Sequence, residues 1–355
     1  MKLLLHAFNL RIKERFTIAH TSRDSQEALV VELQNEDEDL RVSGLGETTA
    51  NPYYHVSVPA MQQELEALRQ MIEEYSISRV PIDLGAEGSP EHFWQVMHPH
   101  LVNSPFTLCA LDIAAHDLYG KKVGRPLYQL WGLDPARVPV SNYTIGIDSI
   151  ETMARKLDAV RWPIYKIKLG TPEDLAIVRE LRKHTDALFR VDANCAWGVE
   201  ETISNSLELK KLGVEFIEQP LAADNLEGMK EVMQYSLLPV IADESCITED
   251  DVAKCDGYFH GINIKLTKCG GLTPARRMIA DARRRGLKVM VGCMTESTVG
   301  ISAIAHLAPL LDYVDMDGAM LLAEDVATGV TVTDTGVKFS AVNGAGAQLL
   351  PVPTL

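Results

Sequence analysis

The sequence predicts an α/β protein: a (β/α)₈-type barrel of the modified TIM kind, with an α+β capping domain formed by the N-terminal region and the C-terminal tail. Three observations carry this. From about residue 138, eight short apolar runs alternate with amphipathic stretches of helical period. Each run after the first ends in polar residues, roughly one βα unit after the one before. The flanking regions are rich in turns and β patterns and lack that alternation. At 355 residues the chain can hold such a barrel with additions and bury its core without staples.

In order, residues 1 to about 60 read as β. "EALVVELQN" and "RVSGLGE" flank an acidic turn, "EDED". "PAMQQELEALRQMIEEY" (59–75) has apolar positions at helical spacing. "SPFTLCALDIAAHDLYGKKVG" is a second helix, opened by Ser104 and Pro105 and punctuated by Gly120 and Gly124. The barrel strands read "VPVSNYTIGI", "IYKIKLG", "LFRVDAN", "EFIEQP", "LPVIADES", "GINIKLT", "KVMVGCMTES" and "YVDMDGA". Helical stretches such as "PEDLAIVRELRKHT", "VEETISNSLELKKLG" and "LTPARRMIADARRRG" lie between them. The expected division is a capping domain (1–125), a catalytic barrel (126–324) and a C-terminal segment (325–355) that returns to the cap.

The net charge of −15 argues against nucleic acid and anionic membrane surfaces as partners. No stretch approaches the ~20 apolar residues of a membrane span. The opening "MKLLLHAFNLRIKERF" is too short and interrupted in its apolar run for a signal peptide. The six cysteines are scattered, with no CxxC pair. They read as free thiols of a cytoplasmic protein, without a disulfide framework or zinc site.

"FRVDANCAWG" (189–198) poses the functional question, because an apolar run stops on Asp192. A lone Asp there is ordinarily a helix cap. Here the pattern recurs: Lys168 ends the second strand, Asp192 the third, Glu218 the fourth, Asp243 the fifth and Lys265 the sixth, at spacings of 24, 26, 25 and 22 residues. Barrel strand ends converge on one face, where active sites lie. Three converging carboxylates repel one another and need a cation. All-oxygen ligands suit a hard divalent ion such as Mg²⁺. Lys166 and Lys168 share one face of their strand, and two close ammonium groups depress each other's pKa. Strands two and six lie opposite in a ring of eight. Lys168 and Lys265 can therefore take a proton from one face of a substrate and return it on the other, with the metal stabilising the enediolate of a carboxylate substrate.

These residues resemble the enolase superfamily, in its muconate-lactonising subgroup. The matching motifs are "KIK" (166–168), "DAN" (192–194), "EQP" (218–220), "ADES" (242–245), "NIKLTKCGG" (263–271) and "GCMTES" (292–297), and the likeness spans nearly the whole chain. The resemblance implies one Mg²⁺ per subunit on Asp192, Glu218 and Asp243, and Lys168 and Lys265 as acid/base pair. It also implies that Lys166 assists Lys168 and faces the substrate carboxylate, and that the protein is a homo-oligomer. Lys268 is a second candidate near strand six, read here as a loop lysine.

"DMDGA" presents Asp315 and Asp317 on one face of the eighth strand. Dipeptide epimerases of this superfamily carry such a pair and bind the dipeptide ammonium with it. The resemblance therefore implies a dipeptide epimerase inverting the C-terminal residue. Cycloisomerases, o-succinylbenzoate synthases and N-acylamino-acid racemases on the same scaffold have no use for the pair. A silent scaffold barrel predicts the loss of a ligand or base, and none is lost. Specificity is expected from cap loops near 16–25 and 48–58. Ala-Glu epimerases carry an arginine in the first loop, where this chain aligns Thr21, with Arg23 two residues on. Tyr53, Tyr54 and His55 in the second loop favour a hydrophobic or otherwise non-acidic side chain, and Ala-Glu stays as the alternative. Thr144 at the end of strand one, and Cys293, Met294 and Glu296 after strand seven, are expected to line the substrate site.

Overall fold

The computed structural model describes residues 1–35, 42–79 and 85–351. The "EDED" turn and the last four residues of the C-terminal segment lie outside these ranges.

The cap sheet is antiparallel: β1 (Lys2–Ile18), β2 (Thr21–Gln34) and β3 (Ser43–Thr49), in that order. Helices α1 (Val58–Glu74), α2 (Pro90–Met97) and α3 (Pro105–Val123) follow. Ser57 starts α1 by accepting from the Ala60 N–H, while Gly124 ends α3 in the left-handed conformation (φ 72°). Gly44 and Gly46 let β3 lie on α3: a Cβ at either would come within 2.0 Å of a carbonyl oxygen of that helix.

Helix α3 is buried on every side from Phe106 to Gly120 and ties the molecule together. Its buried carboxylates are all paired. Asp112 accepts from Thr273 of the barrel, at 2.8 Å from N and 2.7 Å from Oγ1. Asp117 accepts from the Leu45 N–H of the cap and the Ala345 N–H of the tail, each at 2.8 Å.

Eight parallel strands form the barrel sheet: β4 (Tyr143–Ile145), β5 (Ile164–Lys168), β6 (Leu188–Asp192), β7 (Val214–Glu218), β8 (Val240–Ala242), β9 (Gly261–Lys265), β10 (Lys288–Gly292) and β11 (Tyr313–Asp315). They neighbour one another in chain order, as the alternation of patterns predicts. No backbone ladder joins β11 to β4 among the described residues. Side chains bridge that seam instead: Met316 N–H to Ser141 Oγ (3.0 Å), Asn142 Nδ2 to Asp315 Oδ1 (2.7 Å) and Thr144 N–H to Asp317 Oδ2 (2.5 Å). The tail pairs Ala327–Thr328 with Gln348–Leu349, and Ala327 and Ala347 pack with Val30 and Leu45 of the cap.

His306 fastens tail to barrel. Its Nδ1 accepts from the Tyr128 N–H and its Nε2 donates to Ala345 O, each at 3.1 Å, which defines one neutral tautomer. Burial pushes its pKa down to about 4. The unfolded imidazole takes a proton near pH ~6.5 that the folded one refuses. Its contribution, on the order of 3 kcal/mol, is therefore complete above pH ~6.5 and lost as the pH falls towards 4. Denaturant melts of wild type and His306→Gln between pH 4 and 7 should show a shallower acid loss in the variant; equal slopes would contradict this.

Candidate active site

Strand register builds the site. Lys168 stands opposite Asp192, and Asp192 opposite Glu218. Asp243 is the first residue past β8. Gly292 pairs with Lys265 on one side and Asp315 on the other. The strand ends thus bring lysines and carboxylates to one face, beneath a cavity of about 570 Å³ between barrel and cap. Lys166, Lys168, Asp243, Lys265, Asp315 and Asp317 line it from the barrel.

Asp192, Glu218 and Asp243 are buried, with one oxygen of each within 4.8 Å of the others. Lys166 Nζ lies 3.1 Å from Asp192 Oδ2, 2.8 Å from Glu218 Oε2 and 2.9 Å from Asp315 Oδ2. Lys168 Nζ is 2.6 Å from Asp192 Oδ2, and Lys265 Nζ 2.9 Å from Asp243 Oδ2. Burial, reinforced by the Asp192 charge, pushes Glu218 up to about 8. Burial works the same way on Asp192, but Lys168 and Lys166 outweigh it and bring that carboxyl down to about 2. Lys265 and Lys268 likewise hold Asp243 below the usual carboxylate range against its burial. The expected mutual depression of the lysines is overtaken at Lys166. Burial disfavours its charge, yet Asp315, Glu218 and Asp192 outweigh that and push its pKa up. Lys265 is raised in the same way, by Asp243 against burial.

The trio fits a divalent cation. Its donors are all carboxylate oxygens. Among the described residues Glu218 Oε2 makes no hydrogen bond of acceptable geometry, close as Lys166 Nζ is.

Lys268 corrects the sequence reading. It is no loop lysine: it sits on the short helix Leu266–Cys269, fully buried, with Nζ 2.6 Å from Asp243 Oδ1 and 3.1 Å from Cys246 O. Three further residues were missed inside quoted motifs. Asn194 Oδ1 lies 3.4 Å from Lys168 Nζ. Gln219 Oε1 accepts from the Asp243 N–H at 2.9 Å, and Asn263 Nδ2 donates to Glu218 Oε1 at 2.9 Å. Asn194 and Gln219 hold left-handed backbone (φ 42° and 34°), the strained conformation that functional loops store.

Asp315 and Asp317 face the cavity while closing the barrel seam. Burial and the Asp315 charge push Asp317 up to about 8. Thr144, Cys293 and Met294 line the cavity, and Met294 Sδ lies 3.8 Å from Asn51 Nδ2. Glu296 does not line it: its Oε1 turns back to accept from the Met294 N–H at 2.8 Å, and burial pushes it up to about 7.

On the cap side, the stretch near 16–25 is a hairpin rather than a flexible loop. The β1–β2 ladder runs up to Ile18 and Thr21. At its tip His20 Nε2 lies 2.7 Å from Asn194 O. Thr21 and Arg23 share a face of β2 and both line the cavity. Tyr53 and Tyr54 also reach it, on a short 3₁₀ turn over Pro52–Tyr54; His55, which ends that turn, does not.

A barrel whose strand ends carry three buried carboxylates between two lysine-bearing walls is an enzyme fold of the enolase type. The comparisons with known proteins say which. Residues 5–132 match the mandelate racemase/muconate lactonizing enzyme N-terminal domain, and residues 148–351 the enolase C-terminal domain-like family. The chain is 60% identical over 350 residues to the L-Ala-D/L-amino acid epimerase of Flavobacterium johnsoniae, covering 99% of this chain and 100% of that protein. It also resembles the L-Ala-D/L-Glu epimerase from Bacillus subtilis, solved as a substrate-liganded complex (TM-score 0.89, 25% identity, 98% and 99% of the two chains). A third relative is the dipeptide epimerase of Enterococcus faecalis V583, complexed with Mg and L-Leu-L-Tyr (TM-score 0.86, 29% identity, 98% of each chain). The chain belongs to the mandelate racemase/muconate lactonizing enzyme family, in the branch that holds the dipeptide epimerases. It is an isomerase of the epimerase class. No described helix is long and apolar enough to cross a membrane.

Proposed function

We propose that this enzyme epimerises dipeptides at the α-carbon of the C-terminal residue, interconverting L,L and L,D forms. One observation carries the reading: Lys168 and Lys265 line a single cavity from strands on opposite sides of the barrel, with the carboxylate trio between them and Asp315–Asp317 beside them. Asp192, Glu218 and Asp243 would hold one Mg²⁺ per subunit, whose positive charge would stabilise the carboxylate end of the substrate and so make the α-proton more acidic. One lysine takes the α-proton and the other, protonated, delivers a proton to the opposite face. Lys166 offers its ammonium to the substrate carboxylate, while Lys268 holds Asp243 in place.

Asp315 and Asp317 bind the dipeptide ammonium, and Thr144, Cys293 and Met294 wall the first residue. The cap (1–125) together with the returning tail (325–355) selects the substrate, and the barrel (126–324) carries the chemistry. For the second side chain, Tyr53 and Tyr54 support an apolar or otherwise non-acidic residue. A second reading, Ala-Glu, is favoured by Arg23 in the same cavity wall. The unpaired cysteines support a cytoplasmic setting. The homo-oligomer is proposed from the family alone.

The test compares a dipeptide with its N-acetyl form. Asp315→Asn/Asp317→Asn should lower kcat/KM for the free dipeptide by roughly 100-fold or more, on the scale of two charge-assisted hydrogen bonds. Discrimination against the N-acetyl form should largely vanish with it. Equal losses on both substrates would sink the ammonium assignment. Wild-type preference for the N-acetyl form would favour N-acylamino-acid racemisation.

A further inference from the structure

We infer that Asn142 is a positioning residue for binding of the substrate ammonium: held from the barrel interior by Arg190, it keeps one oxygen of Asp315 away from Lys166. The inference rests on the dipeptide reading above and adds to it two residues that do not touch the substrate.

Neither Asn142 nor Arg190 lines the cavity, and both are buried. Asn142 stands just before β4, on the seam where no backbone ladder joins β4 to β11 among the described residues. Its Nδ2 donates to Asp315 Oδ1 at 2.7 Å, and its Oδ1 accepts from Arg190 Nη1 at 3.3 Å. Turning the amide over would set its oxygen against the Asp315 carboxylate and its NH₂ against the guanidinium. Arg190 therefore fixes the orientation of the amide, and Arg190 is itself held. Its Nε lies 2.8 Å from Glu215 Oε2, and its guanidinium carbon is 5.3 Å from the Phe216 ring centroid and 5.0 Å from that of Tyr313. Arg190 precedes Asp192 by two residues and shares its face of β6.

Two groups draw on Asp315. Lys166 Nζ lies 2.9 Å from its Oδ2 and also contacts Asp192 and Glu218. A carboxylate offers about four lone-pair sites. Lys166 and Asn142 take one on each oxygen, which leaves one on each for an ammonium. Without the amide, the carboxylate is free to rotate and swing Oδ1 towards Lys166 as well. The substrate ammonium then competes with a lysine for both oxygens. The other seam bonds, Met316 N–H to Ser141 and Thr144 N–H to Asp317, do not involve the Asn142 side chain. Its loss therefore reaches Asp315 before it reaches the barrel.

The measurement is kcat and KM for L-Ala-L-Glu and L-Ala-L-Leu with the Mg²⁺-loaded full-length enzyme. Wild type is compared with Asn142→Leu, Arg190→Met, Asp315→Asn and the double variant Asn142→Leu/Asp315→Asn. Asn142→Leu should raise KM about 10-fold, the scale of a lost hydrogen bond to a charged group, and change kcat by less than about threefold. The factor should be the same on both dipeptides, which carry the same ammonium. Arg190→Met should raise KM by a smaller factor. On the Asp315→Asn background the Asn142 substitution should add nothing, because Asn142 acts through Asp315. Should Asn142→Leu not fold, Asn142→Ser, smaller and polar, gives the same reading. An unmoved KM, a loss confined to kcat, or a full further loss on the Asp315→Asn background overturns the positioning role. An unmoved KM in Asp315→Asn itself, or turnover of neither dipeptide by wild type, instead overturns the dipeptide reading, and this role with it.

Discussion

Lys265→Ala is expected to lower the rate of epimerisation by about 10⁴-fold while leaving exchange of the α-proton on one face. The asymmetry follows from the barrel. Lys168 and Lys265 end β5 and β9, four strands apart in a ring of eight, so each reaches only one face of a substrate at the mouth. A variant with one base can remove and return the proton it faces, exchanging it with solvent, but cannot complete an inversion. Lys265→Ala should therefore exchange one epimer of a dipeptide in D₂O, and Lys168→Ala the other. The trio should survive the first substitution, because Lys268 still holds Asp243 at 2.6 Å. Mass spectrometry of both epimers with both variants reads this directly. Two variants that each exchange both epimers would contradict a two-base arrangement.

Glu218→Gln is expected to lower activity by at least about 10³-fold and, more tellingly, to uncouple stability from Mg²⁺. Mg²⁺ at a hundredfold excess over its Kd should stabilise wild type by ~2.7 kcal/mol, since it binds the folded chain alone. The variant should gain little, having lost the central of three ligands. Without metal it should melt no lower than wild type. Glu218 is buried beside Asp192 and Asp243, and repulsion adds to burial in raising it to about 8, so near neutral pH and without metal the carboxyl is already largely uncharged and a neutral amide replaces it at little cost. Thermal melts with and without Mg²⁺ settle the matter. An equal Mg²⁺ shift in both proteins would place the ion elsewhere.

The barrel was legible because buried parallel strands read as continuous apolar runs, and a polar residue ending such a run stands out. Lys168, Asp192, Glu218, Asp243 and Lys265 were found by that contrast alone. The cap was harder. β1 is only partly buried and its register shifts between Arg11 and Phe16, so no clean alternation marks its length. Spacing also could not say whether Thr21 or Arg23 reaches the cavity. That depends on the hairpin turning at Ala19–His20, after which both share the inward face. Lys268 was misread because a four-residue helix leaves no periodic trace. The seam joining Asn142 and Thr144 to Asp315 and Asp317 has no signal at all, being a contact between the first and last barrel strands. Glu296 shows the opposite error: a polar residue past a strand end that serves its own loop.

The most direct measurement is wild-type enzyme with Mg²⁺ and a panel of L,L dipeptides in D₂O. Deuterium should enter at the α-carbon of the C-terminal residue alone, together with appearance of the L,D epimer. Deuterium in the N-terminal residue, or no incorporation into any dipeptide, would contradict proton transfer by Lys168 and Lys265 at that carbon.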